Sequence, residues 1–325
     1  MRQHYRFIGT ILLSGLLVLL GGLLRPMPRF AAEGVPRDRF WAGKMLFPAG
    51  AYDIVLAGDS RIYRNLSPAA MQTVLHGQRI VNYAFSGCGL GTTGYLESAV
   101  RLLDPRSNDR AIVLGIHGAG LTAGSAAENG FLNLRARNHF ELHAVYHLAL
   151  LAGFLRPYDP EDVAAAILDR DNREGVVEVF HSDGWAASWR VSARPEATAQ
   201  ATRATLERFE RGFIQGDQVS EAVVAQVIGA VRRWTASGIR VYGFVPPVPE
   251  EMSRLETKLG QFDERAFKGK FERAGGIWLS FPEHYASYDG SHLRMDGALR
   301  LSTDLAKALL AAEDVSSRGG VRIKP

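Results

Sequence analysis

The chain has one cysteine, Cys88, so alone it can form neither an intramolecular disulfide nor a Cys-based zinc site. The missing disulfides fit a cytoplasmic protein and an exported one equally well. Basic runs interleaved with aromatics are also lacking, and a net charge of +4 is slight for 325 residues. Nucleic-acid binding is therefore not expected. There is no internal repeat and no long low-complexity tract. What is present, 46% hydrophobic and 22% charged residues, is an ordinary globular composition able to bury a substantial core.

One uncharged run stands apart. After "MRQHYR", with Arg2 and Arg6, the 18 residues Phe7 to Leu24 carry no charge. As a helix they would span about 27 Å, close to the ~30 Å hydrocarbon core of a bilayer. The run is longer than a usual signal-peptide core, and "RPMPRF" follows without a small-x-small cleavage site. The expectation is an uncleaved N-terminal transmembrane anchor over 1–24, with a signal peptide as the competing reading. Such an anchor most simply leaves the following domain periplasmic or extracellular, tethered to the inner membrane. Residues 25–50, rich in Pro, Arg and Gly, read as a linker.

From residue 51 short Val/Ile-rich runs recur: "DIVLAG" (53–58), "RIVNYAF" (79–85), "AIVLGIH" (111–117), "IRVYGFVP" (239–246) and "GGIWLSF" (275–281). They do not alternate strictly, which is the pattern of strands buried on both faces of a parallel sheet. Helical stretches fall near 67–76 and 93–103. "SEAVVAQVIGAVRRWTASG" (220–238) has helical spacing and ends at Gly238, and "ALRLSTDLAKALLAA" (298–312) closes the domain. The predicted fold is α/β, a five-stranded parallel sheet with helices between the strands. About 118–218 lies outside this alternation and reads as an insertion between the third and fourth strands. In it "HFELHAVYHLALLAGFL" and "PEDVAAAILDRD" look helical, and "EGVVEVFHSDGWAASWRV" looks like a hairpin. The domain is expected over 51–312, with a polar tail at 313–325.

Ligands of open α/β sheets bind beyond the C-terminal strand ends. Ser60, in "AGDSR", ends the first strand at that edge. As a hydroxyl it needs a base. "YASYDGSHLRMDGALRL" supplies Asp289 and His292 before the last helix, again at that edge. A carboxylate three positions from an imidazole can hold one ring nitrogen and leave the other for the serine. Helix capping by Asp59 and Ser60 is the competing role for the first motif.

Gly58-Asp59-Ser60 and Asp289-Gly290-Ser291-His292 together resemble the first and last motif blocks of SGNH (GDSL-type) hydrolases. That resemblance implies a flavodoxin-like three-layer fold, a Ser60/His292/Asp289 triad and no cofactor. It also implies an oxyanion hole from the N–H groups of Ser60 and of Gly87, in "VNYAFSGCG". The family's third block ends in Gly-x-Asn-Asp. Here "LGIHGAG" keeps Gly115 but has His117 and Gly118 in the last two positions, so His117 is the substitute donor or the hole has fewer donors. With the anchor and the insertion, the pattern is similar to membrane-tethered SGNH-like proteins of bacterial polysaccharide O-acetylation. These often work beside a membrane-bound O-acyltransferase. The implied function is serine-dependent acyl transfer or ester hydrolysis on a cell-surface or exported polysaccharide. The alternatives are a general carboxylester hydrolase with the same triad and a non-catalytic polysaccharide-binding scaffold.

Several other residues invite a role. Arg61 and Arg64 follow the serine and are candidates to face an anionic sugar, solvated charge being the alternative. Trp185 and Trp189 are candidates for sugar stacking or for burial in the hairpin. His139, His143 and His147 share a helix face, but Phe140 and an off-face Glu141 break the H-E-x-x-H pattern, so no metal site is expected. Cys88 reads as a small packed residue.

Overall fold

The computed structural model describes residues 2–23, 34–155, 175–191, 196–281 and 284–319. Five of the Val/Ile-rich runs form β1 (Ile54–Ala57), β2 (Ile80–Asn82), β3 (Ala111–Gly115), β6 (Arg240–Phe244) and β7 (Ile277–Trp278). They pair in the order β2-β1-β3-β6-β7, all parallel. Val55 faces Val81 on one side and Ile112 on the other, and Val113 faces Tyr242.

Because successive strand residues point to opposite faces, the sheet feeds two apolar layers. Val55, Val81, Ile112 and Val241 meet Tyr95, Val227, Val231 and Phe271 on one face. Ile54, Leu56, Ile80 and Val113 meet Ile62, Met71, Leu301 and Leu305 on the other. The crossover helix Glu221–Ala236 and the closing helix Met295–Gly319 thus cover opposite faces. The closing helix runs on to Gly319, beyond the tail boundary expected at 313.

The insertion adds a second sheet, the antiparallel hairpin of β4 (Gly175–Phe180) and β5 (Ala186–Val191), where the hairpin was expected. Its turn docks on the outer edge of β2, where Asn82 N–H donates to the Asp183 carbonyl at 2.9 Å. A helix spans His139–Leu155 as expected, and a further helix, Glu196–Ile214, was not foreseen. "PEDVAAAILDRD" lies outside the described residues.

The expected linker instead holds α2 (Arg37–Met45), following α1 (Arg2–Leu23) in the chain. Phe40 of α2 is buried, and so is Lys44. The Lys44 amine donates to the Ala84 carbonyl at 2.6 Å inside a box of aromatic rings, Phe40, Trp41, Tyr63 and Phe85, 4.8 to 5.6 Å away. Burial pulls its pKa well below the usual lysine value, against the charge of Asp183. On α1, Phe7, Ile8, Ile11, Leu12, Leu16 and Leu20 are exposed, and the helix packs against His139–Leu155. Among the described residues no helix is long and apolar enough to cross a membrane, so the expected transmembrane helix is not found there. The expected span Phe7–Leu24 runs partly outside those residues.

Candidate active site

In chain order the sheet grows from β1 to β2, then turns back to β3 on the other side of β1. That reversal opens a crevice between the C-terminal ends of β1 and β3, the usual ligand position in such sheets. Gly58 leaves β1 at φ +153, and a Cβ there would press on Ile62. Asp59 caps the four-residue helix Ser60–Tyr63, its Oδ1 accepting the Arg61 N–H at 2.9 Å. Ser60 is thus the first helical residue, where a backbone N–H has no intrahelical partner.

From the far end of the chain, the loop before the closing helix brings up the base. His292 Nε2 lies 2.8 Å from Ser60 Oγ, and Nδ1 lies 2.8 Å from Asp289 Oδ2. Asp289 Oδ1 accepts the N–H groups of Ser291 at 3.0 Å and His292 at 2.8 Å. The loop itself is pinned by Leu293 N–H donating to Asn65 Oδ1 at 3.0 Å. Burial alone would raise the Asp289 pKa. The His292 hydrogen bond and charge, with the two backbone donors, hold it at about 2 instead. Burial lowers the His292 pKa, against the pull of Asp289, and the charge of Arg64 lowers it further. With Asp289 ionised, Nδ1 carries the proton and Nε2 presents its lone pair to the serine hydroxyl. Such a relay can take the Ser60 proton and return it to a leaving group.

The relay opens on a cleft of about 570 Å³. Its walls are Ser86 and Gly87 after β2, Ser125 and Glu128 after β3, and Thr205, Arg208, Phe209 and Phe213 of the insertion helix Glu196–Ile214. Gly87 adopts a left-handed φ of +62, which favours glycine. Among the described residues, the N–H groups of Ser60 and Gly87 donate to no protein acceptor. No protein-family model, curated protein or solved structure matches this chain.

Three expected roles are corrected by the geometry. His117 does not donate into the cleft, because both its ring nitrogens are engaged: Nε2 with Asp59 Oδ2 and Nδ1 with Glu256 Oε1, each at 3.0 Å. Arg61 does not meet substrate, because it is fully buried. Its Nε donates to Ser291 Oγ at 3.1 Å, and its Nη1 forms an ion pair with Glu256 Oε1 at 3.0 Å. Trp185 is buried in the hairpin, its Nε1 donating to the Arg64 carbonyl at 3.0 Å, which ties the hairpin to the end of the Ser60 turn. Arg64 does line the cleft, but Tyr63, Tyr288 and Glu178 all bind its guanidinium.

Burial pushes the Cys88 thiol up to about 12, so the thiolate is not formed near neutrality. The rings of His139 and His143 are 4.2 Å apart, and among the described residues no cluster of three or more ligating side chains is arranged for a metal. Glu256, on the helix Glu250–Lys258, was not foreseen. It sits four residues after the fully buried Met252, and that spacing puts both on one helix face.

Proposed function

We propose that the protein is a serine acyltransferase or esterase of the SGNH type, acting on O-acyl groups, chiefly acetyl, of an exported or cell-surface polysaccharide. The observation that carries this reading is the Ser60–His292–Asp289 relay, with both links at 2.8 Å, at the mouth of a cleft rich in hydrogen-bonding side chains. The parallel-strand order, counted without the hairpin, is the 2-1-3-4-5 of flavodoxin-like sheets, which supports the same family.

In the proposed reaction His292 Nε2 takes the Ser60 proton while Oγ attacks the acyl carbonyl. The oxyanion is held by the Ser60 and Gly87 N–H groups. His292 then passes the proton to the departing alkoxide, leaving acyl-Ser60. A sugar hydroxyl or water next gives its proton to His292 and attacks that ester, and Ser60 recovers its proton on collapse. With His117 engaged elsewhere, the hole has two backbone donors. One missing donor can cost about 10²–10³ in rate, which suits slow, selective transfer. Polar groups around the cleft, Ser86, Ser125, Thr205 and Arg208, favour a polyhydroxylated acceptor over an apolar ester.

The exposed apolar side chains of α1 support attachment to a membrane surface, since so large an apolar surface is costly in water, whereas a membrane-bound O-acyltransferase partner rests on the resemblance alone. The deciding experiment is p-nitrophenyl acetate turnover by the full chain with and without oligosaccharide acceptors. Faster turnover with acylated sugar among the products supports transfer, and turnover indifferent to acceptor supports the general esterase. Polymer acylation that survives Ser60→Ala in cells overturns the catalytic reading in favour of a scaffold.

A further inference from the structure

We infer that Glu256, acting through His117, is a positioning residue for Ser60: the chain Glu256–His117–Asp59, buried at its first two members and reaching the cleft at Asp59, and braced by Arg61 and Ser291, sets the nucleophile in register with His292. The inference rests on Ser60 being the nucleophile.

A four-residue helix cannot hold its own shape, because helix nucleation is unfavourable. Here the support comes through the residues on either side of Ser60. Asp59, before it, gives Oδ1 to the Arg61 N–H and Oδ2 to His117 Nε2. Arg61, after it, reaches Ser291 Oγ, on the loop between Asp289 and His292. Besides the Arg64–Tyr288 and Asn65–Leu293 bonds, the Ser60 turn and the His292 loop are therefore joined through the cleft at Ser60–His292 and through the interior at Arg61–Ser291. Glu256 Oε1 closes the interior link, lying 3.0 Å from both His117 Nδ1 and Arg61 Nη1. The Phe209 ring of the insertion helix covers the guanidinium at 5.4 Å.

The charge state follows from the partners. Each nitrogen of His117 faces a carboxylate oxygen, so both must donate, and a neutral ring would set a lone pair against one acid. The groups facing the ring are Asp59 and Arg61 on the Ser60 turn and Glu256 on its own helix. Imidazolium and guanidinium balance the two carboxylates, which suits a cluster in which Arg61, His117 and Glu256 are all buried. Burial and the Arg61 charge oppose the imidazolium, but the two acids prevail and raise its pKa above the ordinary histidine value. Loss of that proton breaks one link of the chain and loosens Asp59. Small displacements of a reacting group can cost about 10²-fold in rate.

The test is the rate at which a fluorophosphonate probe labels Ser60 in the full chain, followed against pH, with melting temperature measured in parallel. Glu256→Gln keeps the shape of the site and removes one negative charge. It is expected to slow labelling about 10- to 100-fold at mildly alkaline pH. The alkaline fall-off should move to lower pH, and the acid limb, set by His292, should stay in place. His117→Asn, which cannot titrate, should erase the alkaline fall-off even if Glu256→Gln folds poorly. A merely structural role would lower the melting temperature and leave the profile's shape alone. Wild-type rates with an unmoved alkaline limb in both variants would overturn the positioning role while leaving the nucleophile intact. An unlabelled wild-type Ser60 would sink the nucleophile reading, and this one with it.

Discussion

Two buried histidines lie on either side of the Ser60 turn, and they have opposite chemistry. His292 touches one acid and one hydroxyl, and burial wins, so its pKa is lowered and the ring is a base. His117 touches two acids, and the acids win, so its pKa is raised and the ring keeps its proton to higher pH. Burial is similar for both, below a tenth exposed. The second partner therefore decides whether a buried imidazole moves protons or holds a structure together.

Substitutions on the His292 side should hit turnover hardest. Ser60→Ala should abolish probe labelling and reduce turnover about 10⁵-fold or more, and adding His292→Ala should make it no worse, because relay members act as a unit. Asp289→Asn should cost about 10³- to 10⁴-fold with little change in substrate affinity, by favouring the wrong tautomer of His292. Steady-state kinetics of the three variants would check both, and a small loss in Asp289→Asn would mean that another group orients the ring.

A smaller effect separates the two histidines by stability. His292 is folded with a lowered pKa, so as pH drops below the ordinary imidazole range the unfolded chain binds the proton first and stability falls. His117 is folded with a raised pKa, so its contribution is complete below the unfolded value and disappears as pH climbs through the folded one. Melting curves across pH should therefore flatten on the acid side in His292→Ala and on the alkaline side in His117→Asn. Identical curve shapes would erase the distinction. Smallest of all, Trp185→Phe removes the hydrogen bond to the Arg64 carbonyl. It should cost about 1 kcal/mol, or about 2–4 °C in melting temperature, with turnover nearly intact.

The sheet was legible because its strands are short Val/Ile runs separated by helical spacing, and each expected run contains an observed strand, shortened at its ends. Ser60, Asp289 and His292 were legible for a different reason. Topology puts the ends of β1 and of the last loop on one edge, and a three-residue spacing suffices to pair acid and base. Charged residues whose role depends on tertiary burial were the ones misread. Arg61 looks like any solvated arginine, and Glu256 like Glu250 or Glu251 on the same amphipathic helix, yet only Glu256 of these three acids is buried. The Met252 spacing was the available signal. Likewise α2 was hidden among Pro, Arg and Gly, although Pro36 at its cap, Asp38 in its first turn and the adjacent aromatics Phe40 and Trp41 mark a helix that packs.

The Lys44 amine has a consequence for experiment. In its ring of aromatics the buried Nζ is shielded from reagents while α2 stays in place. The rate of an amine-directed label on Lys44 would therefore report how often α2 leaves its seat at that point. Because Lys44 is tied to the Ala84 carbonyl, three positions before Gly87, the same clock would time the loosening of the loop beside the cleft.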